Sequence, residues 1–554
     1  MVRGSVQMIG VVTSIDQRSV AREFFELFKT PWDFWQSATH YDVILDATGA
    51  IQHPSAKLVI AYADSRPGAG IARQKSVLIY QGDRIPVYGT CLTFPSNGHA
   101  SDVVVEGTNR SVVSVSREGG TTIVRFGYDL LGEIRYLLTN GQPACYAAIP
   151  TLERHIAILR DTIVRAGIPL VEIPPVPAGH RFMACLTHDV DHASIRPHKL
   201  DRTMFGFLHR AVLGSLINWS RKRITSEVLR KNLAAALRLP LVHLGWARDF
   251  WSEFDRYLAI EQGLGSTFFV IPERNNPGLT AHGAAPRKRG ASYRLPDIAR
   301  QLGAVLAAGG EVAVHGIDAW RDSARGNEER QAVAQVIGTP PAGSRMHWLY
   351  WEGDTPCHLE RAGFTYDSTV GYNDTVGFRA GTTQAFRPLS ATKLLELPLH
   401  VMDTALFYPA YLNLTQHTAH DIVRPLIDAT ERFGGTLTIN WHDRSLAPER
   451  QWGAFYSDLL NELRQRGAWF PTAGHAIGWF QRRRSATFEA VCWDGESVRA
   501  NVADTSLPHL PGLNLRFHTP TFGGRSRSFD MPVNGPLEAN VKIGATRPAI
   551  MAGL

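Results

Sequence analysis

Between residues 181 and 482 the chain alternates short apolar runs with stretches whose apolar positions recur at helical spacing. The runs "RFMACLTHDV", "STFFVI", "EVAVHG", "GSRMHWLY", "KLLELPLHV" and "TLTINWHD" are short and rich in β-branched and aromatic residues, which predicts strands. "ARDFWSEFDRYLAIEQG" and "LPDIARQLGAVLAAG" between them predict helices. Such alternation predicts a parallel sheet, either open or closed into a barrel. Residues 1–173 mix strand-like runs ("KLVIAYA", "SVLIY", "TTIVRFGY") with helical patterns and read as an α/β domain. Its clearest helix, "PTLERHIAILRDTIVRAG", puts Leu152, Ile156, Leu159 and Ile163 on one face. The prolines of "EIPPVPAGHRF" predict a stiff linker over 174–180 and a domain boundary. Beyond "QRRRSA" the helical signal stops, and residues 483–554 read as a small β-rich module or a partly loose tail. No repeat or low-complexity tract interrupts the pattern.

Composition narrows this picture only a little. A chain of 554 residues exceeds one core and predicts several domains. The 44% hydrophobic content predicts a globular chain. A net charge of +7 over this length gives no argument for a nucleic-acid partner. Five cysteines (Cys91, Cys145, Cys185, Cys357, Cys492) without a C-x-x-C pair predict neither a disulfide framework nor a cysteine–zinc site, and fit a reducing compartment. The first 25 residues lack a continuous apolar h-region and no run of about 18 apolar residues occurs, so neither a secretory signal nor a spanning helix is expected. The expected location is cytoplasmic, including the inner face of the membrane.

The chemistry gathers where three predicted strands stop. "CLTHDVD" supplies Asp189 and Asp191, "VAVHGID" supplies His315 and Asp318, and "LTINWHD" supplies His442 and Asp443. In parallel α/β folds the carboxyl ends of the strands converge and host the site. Side chains alternate along a strand, so Asp189 and Asp191 share a face that His188, Val190 and His192 do not. Two adjacent buried carboxylates need positive compensation, which suits one metal ligand beside one general base.

The order of these motifs resembles the polysaccharide deacetylases of the NodB-homology group, carbohydrate esterase family 4. "LTHDVD" is similar to the first motif in its D-x-D form, "STFFV" to the second barrel strand and "EVAVHGIDAW" to the metal-histidine motif. "GSRMHWLYW" followed by "AGFTYDST" resembles the arginine motif and the element after it, and "TINWHD" the last histidine motif. The resemblance spans about residues 181–482 and implies a distorted (β/α) barrel, flanked by the N-terminal α/β domain and the C-terminal β module. It implies Asp189 as catalytic base, Asp191 and His315 as metal ligands, Arg345 as the partner of the base and His442 as catalytic acid. The family's second metal histidine is missing, because position 319 is alanine. His347, which shares a side with Arg345 on an extended segment, and Asp318 both remain candidates for the third ligand. Oxygen and imidazole donors suit Zn²⁺, with Co²⁺ or Ni²⁺ tolerated. The implied activity is metal-dependent N-deacetylation of an amino sugar or glycan, free or lipid-linked, in surface-polysaccharide synthesis. Two alternatives stay open: a same-fold hydrolase of a non-sugar C–N bond, and a metal-free glycan-binding or scaffold protein.

Trp348, Tyr350, Trp441 and Arg379 are candidate substrate contacts, since sugar rings stack on aromatic faces and Arg379 sits in the glycine-rich loop 371–382. That loop lacks a P-loop lysine. His400 and Asp403 of "LPLHVMDTALF" have no role assigned. Residues 203–223 separate the first two predicted strands, with Phe205, Leu208, Val212, Leu213 and Leu216 on one helical face, followed by Trp219 and Arg221–Lys222–Arg223. They read either as a helix lying in a membrane surface or as one packed on the protein.

Overall fold

The structure is a computed structural model and describes residues 9–48, 56–62, 72–95, 103–222, 224–494, 496–520, 526–533 and 535–542. Its centre is a parallel sheet. We label its strands β1 (Phe182–Val190), β2 (Ser266–Val270), β3 (Glu311–Gly316), β4 (Gly343–Met346), β5 (Tyr366–Asp367), β6 (Leu395–Glu396), β7 (Val401–Met402) and β8 (Thr436–Asn440). The spatial order is β6-β5-β4-β3-β2-β1-β8-β7, with Ala468–Trp469 also pairing β1. All these pairings are parallel. The sheet curls into a distorted (β/α) barrel whose two ends, β6 and β7, are consecutive in sequence. All nine residues of β1 are buried, as expected of a strand covered on both faces. At the start of β4, Gly343 has no room for a side chain: a Cβ would stand 1.9 Å from the Tyr366 ring of β5.

Three predicted elements come out differently. "GSRMHWLY" is a strand only to Met346, because residues 347–349 turn, with Trp348 and Leu349 in the left-handed region at φ 66° and 54°. "KLLELPLHV" breaks into β6 and β7 around Pro398, which offers no N–H to a neighbour and restricts Leu397 before it. Of "ARDFWSEFDRYLAIEQG" only Phe254–Ile260 is helical, since the Asp249 carboxylate binds the backbone N–H groups of Ile195 and Trp251 and holds the preceding residues irregular.

Ahead of the barrel lies a six-stranded sheet centred on Ile9–Val12, Val43–Asp46 and Leu58–Tyr62. The helix Thr151–Arg165 buries Leu152, Ile156, Leu159 and Ile163 together, the stripe its periodicity predicts. Within the expected linker 174–180, residues 174–177 are buried; Gly435 N donates to Pro175 O and Asn514 Nδ2 to Val176 O. Leu170–Glu172 pairs antiparallel with Leu513–Pro520, so the first and last parts of the chain share a sheet. The helix Ala473–Ser485 joins that core through Ile477, Trp479 and Phe480. No helix among the described residues is long and apolar enough to cross a membrane.

Candidate active site

The carboxyl ends of β1, β3, β4 and β8 open into one cleft of about 190 Å³, lined by Asp189, Asp191, His315, His347 and His442, with Trp348, Tyr408 and Tyr411 on its rim. A larger cavity, about 450 Å³, lies where β8 begins, among Arg154, Arg432 and Arg516. It contains none of the strand-end histidines and aspartates, so the chemistry belongs to the smaller cleft.

Pleat alternation sorts the β1 end. His188 turns into the core, where Nδ1 meets Trp441 O at 2.8 Å and Nε2 meets Glu261 Oε1 at 3.0 Å. Asp189, on the other face, is 3% exposed. Its Oδ1 accepts from Arg345 Nη1 at 2.9 Å and its Oδ2 from Asn440 Nδ2 at 2.7 Å. Arg345 is fully buried over the Phe269 ring, 4.4 Å from its centroid, and also donates to Thr187 Oγ1 and to Ser368 O and Oγ. Burial pushes the Asp189 carboxyl up, but the positive charge of His315, Arg345 and His442 outweighs it and holds the group below the ordinary carboxylate range.

Asp191 Oδ1 faces two imidazoles, His347 Nε2 at 3.4 Å and His315 Nε2 at 3.5 Å. This oxygen is buried without a hydrogen-bond partner. One atom from each of the three residues falls within 4.8 Å of the others. His315 Nδ1 lies 2.9 Å from the Arg345 carbonyl; a carbonyl only accepts, so Nδ1 carries a proton and Nε2 is the nitrogen that faces Asp191. Burial drives the His347 pKa down to about 3, against the pull of Asp191, so its ring is neutral. Two imidazoles converging on the unpaired Asp191 oxygen match the donor set of a three-ligand divalent-metal site.

Across the cleft, His442 Nε2 stands 3.9 Å from Asp191 Oδ2. Its Nδ1 is 2.6 Å from Asp403 Oδ1, and its backbone N–H donates to Asp403 Oδ2 at 2.7 Å. Ser445 Oγ also donates to that carboxylate, and Tyr257 Oη donates to His442 O at 2.6 Å. Burial disfavours the imidazolium, but Asp403 overrides it and lifts the His442 pKa to about 9.

Of the predicted site residues, Asp189, Asp191, His315, Arg345, His347, Trp348 and His442 meet in or directly behind this cleft. Four do not. Asp318 turns away, and its Oδ1 accepts from Leu279 N at 2.8 Å. Trp441 is fully buried and stacks on Tyr456 at 5.0 Å, because alternation after Asn440 aims it at the core. Tyr350 lies against the Arg289 guanidinium at 4.4 Å. Arg289 in turn donates to Ile317 O and His347 O, so Tyr350 helps hold the ligand loops instead of lining the cleft. Arg379 is pinned over Tyr372 and donates to Gln142 O and Asn140 O of the N-terminal part. Asn440 and the role of Asp403 were not legible, since no spacing ties position 403 to 442 before the fold brings them together.

No protein-family model matches the sequence, and no curated protein matches it. Among solved structures, the chain resembles Agd3, a carbohydrate deacetylase, at 9% identity over 98% of this chain and 99% of that one, with a TM-score of 0.40. It resembles a Mycobacterium smegmatis protein assigned to the polysaccharide deacetylases at 19% identity, covering 56% of this chain and 95% of the other, TM-score 0.35. A family 4 carbohydrate esterase from Streptomyces lividans, solved with acetate, matches at 14% identity over 40% and 85%, TM-score 0.24. At such overlaps the functional reading has to come from the side chains.

Proposed function

We propose that this protein is a metal-dependent hydrolase that removes N-acetyl groups from an amino sugar or glycan. The observation behind this reading is the joint placement of three elements: the Asp191–His315–His347 donor set, an ionised Asp189 on one side, and the His442 imidazolium paired with Asp403 on the other. A divalent cation, for which we favour Zn²⁺, would be held by Asp191, His315 and His347, and would supply Lewis acidity and an acidified water at neutral pH. Asp189 takes a proton from the attacking water at Oδ2, the oxygen nearer His315 at 3.7 Å. Arg345 and Asn440 keep its carboxylate ionised and oriented. His442 Nε2 gives a proton to the departing nitrogen, and Asp403 holds the ring in the tautomer and charge state for that donation. Each transfer contributes about 10²–10⁴ in rate. Trp348 at the rim offers a face for a sugar ring.

The finer reading is a lipid-linked or free N-acetylated glycan of surface-polysaccharide synthesis, met in the cytoplasm at the inner face of the membrane. Domain boundaries near 173 and 482 belong to the same proposal. The test is acetate release by the zinc-loaded chain from N-acetylated chito-oligosaccharides, run beside a cyclic ureide and a formamide. Acetate release that is lost in Asp189→Asn and His442→Ala supports the reading. Hydrolysis of the ureide alone, or none with full metal content, overturns it.

A further inference from the structure

Residues 196–248, between β1 and β2, hold eleven Lys and Arg against two carboxylates, Asp201 and Glu227. Their net charge is +9, whereas the whole chain carries +7, so the rest of the protein is slightly acidic. The same segment concentrates exposed apolar side chains. Residues 202–220 form one helical stretch with a π-turn at His209–Gly214, and Ser226–His243 forms a second helix. Asn232 Nδ2 ties the two together by donating to Ser215 Oγ at 2.7 Å. Met204, Phe207, Ala211, Ala235, Leu239 and Val242 fill the core between them. The first helix leaves Phe205, Leu213, Leu216 and Ile217 between 42% and 56% exposed, which includes much of the apolar face its sequence predicts. The second leaves Leu237 80% and Leu241 43% exposed, with Trp246 just beyond it at 78%. Arg221 and Lys222 at the helix end are exposed, while Arg223 lies outside the described residues.

A packed pair of helices with outward Leu, Ile, Phe and Trp amid a net +9 is matched by one kind of surface, an anionic lipid bilayer. The apolar side chains enter the acyl boundary while Lys and Arg meet the headgroups. The pair also flanks the catalytic cleft. Ala447, in the loop after His442, packs into its core. Gln451, next to the cleft-lining Arg450, donates from Nε2 to Asn232 Oδ1 of the second helix at 2.9 Å. We infer that residues 196–248 form a membrane-docking platform that presents the cleft to substrate at an anionic lipid surface. The docking does not depend on the hydrolase reading, which enters only in what the platform delivers.

The test is co-sedimentation of the full metal-loaded chain with vesicles of phosphatidylcholine alone and with one quarter phosphatidylglycerol. Binding should need the anionic lipid, fall about tenfold or more at 0.5 M salt, and fall tenfold or more in Leu213→Glu/Leu216→Glu and in Leu237→Glu/Leu241→Glu. Acetate release from a water-soluble substrate should be unchanged in both variants, so failure of docking and failure of the hydrolase reading are told apart. If the variants do not fold, quenching of Trp246 fluorescence by brominated lipid, assigned with Trp246→Phe, reads the same contact in the wild type. Absence of binding to anionic vesicles overturns the inference. So does light scattering that shows a dimer which Leu213→Glu/Leu216→Glu dissociates, since the face would then belong to a second copy.

Discussion

Replacing Arg345 by methionine leaves Asp189 in place with its hydrogen-bonded counter-charge gone. Arg345 is fully buried and makes four side-chain hydrogen bonds, to Asp189 Oδ1 at 2.9 Å, Thr187 Oγ1 at 2.8 Å, Ser368 Oγ at 2.8 Å and Ser368 O at 2.9 Å, and one cation–π contact, with the Phe269 ring at 4.4 Å. Methionine keeps the packing on Phe269 but none of the donors. Removing one partner of a buried ion pair costs about 3–5 kcal/mol. Adding Asp189→Asn removes the stranded charge and leaves only unsatisfied neutral acceptors, at about 1–3 kcal/mol. The double variant should therefore regain about 2 kcal/mol over Arg345→Met. A chain with several cores does not melt in one step, so local opening is the right readout. Hydrogen exchange of peptides covering β1 and β4 should speed up roughly 10²-fold or more in Arg345→Met and slow again roughly tenfold or more in the double variant. Both variants should lose hydrolysis, because both lose the ionised Asp189 or its orientation. If the double variant exchanges as fast as the single, or Arg345→Met matches wild type, the compensated-carboxylate reasoning is wrong.

Other consequences are equally open to measurement. His315→Ala and His347→Ala should each lower bound zinc by about tenfold or more in affinity, read by elemental analysis after dialysis, whereas Asp318→Ala should keep it, since Asp318 serves Leu279 N. Asp403→Asn should keep the metal yet move the alkaline limb of the pH–rate profile down from about 9, because Asp403 raises the His442 pKa to that value and the acid form otherwise disappears at lower pH; an unmoved limb removes His442 from the acid role. Burial raises Glu153 and Glu329 to about 7 from 4.5. Their neutral forms therefore contribute stability that is whole below pH 4.5 and lost as pH rises through 7, so local opening of the helix Ser323–Ile337 that carries Glu329, read by hydrogen exchange corrected for the intrinsic pH dependence, should become easier between pH 5 and pH 8. A chelator should abolish acetate release, and added Zn²⁺ should restore it.

The strand ends with their Asp and His residues, the parallel alternation of β1, β2, β3 and β8, and the apolar stripe of residues 151–165 were legible along the chain, because each is a local pattern of period two or period three to four. The pairing of Asp189 with Arg345 was legible only through motif order. Side-chain direction near Pro398 and Trp348 was not, since a proline break and a left-handed turn interrupt the alternation there and carry Tyr350 away from the cleft. Nor was the concentration of positive charge over 196–248 visible in a whole-chain total of +7. What tertiary structure alone decided is which distant groups share a dielectric environment. Asp403 reaches His442, Asn440 reaches Asp189, and Phe205 and Leu213 face outward instead of inward, because curling of the sheet and packing of the inserted helices determine those distances, and no rule of spacing along the chain encodes them.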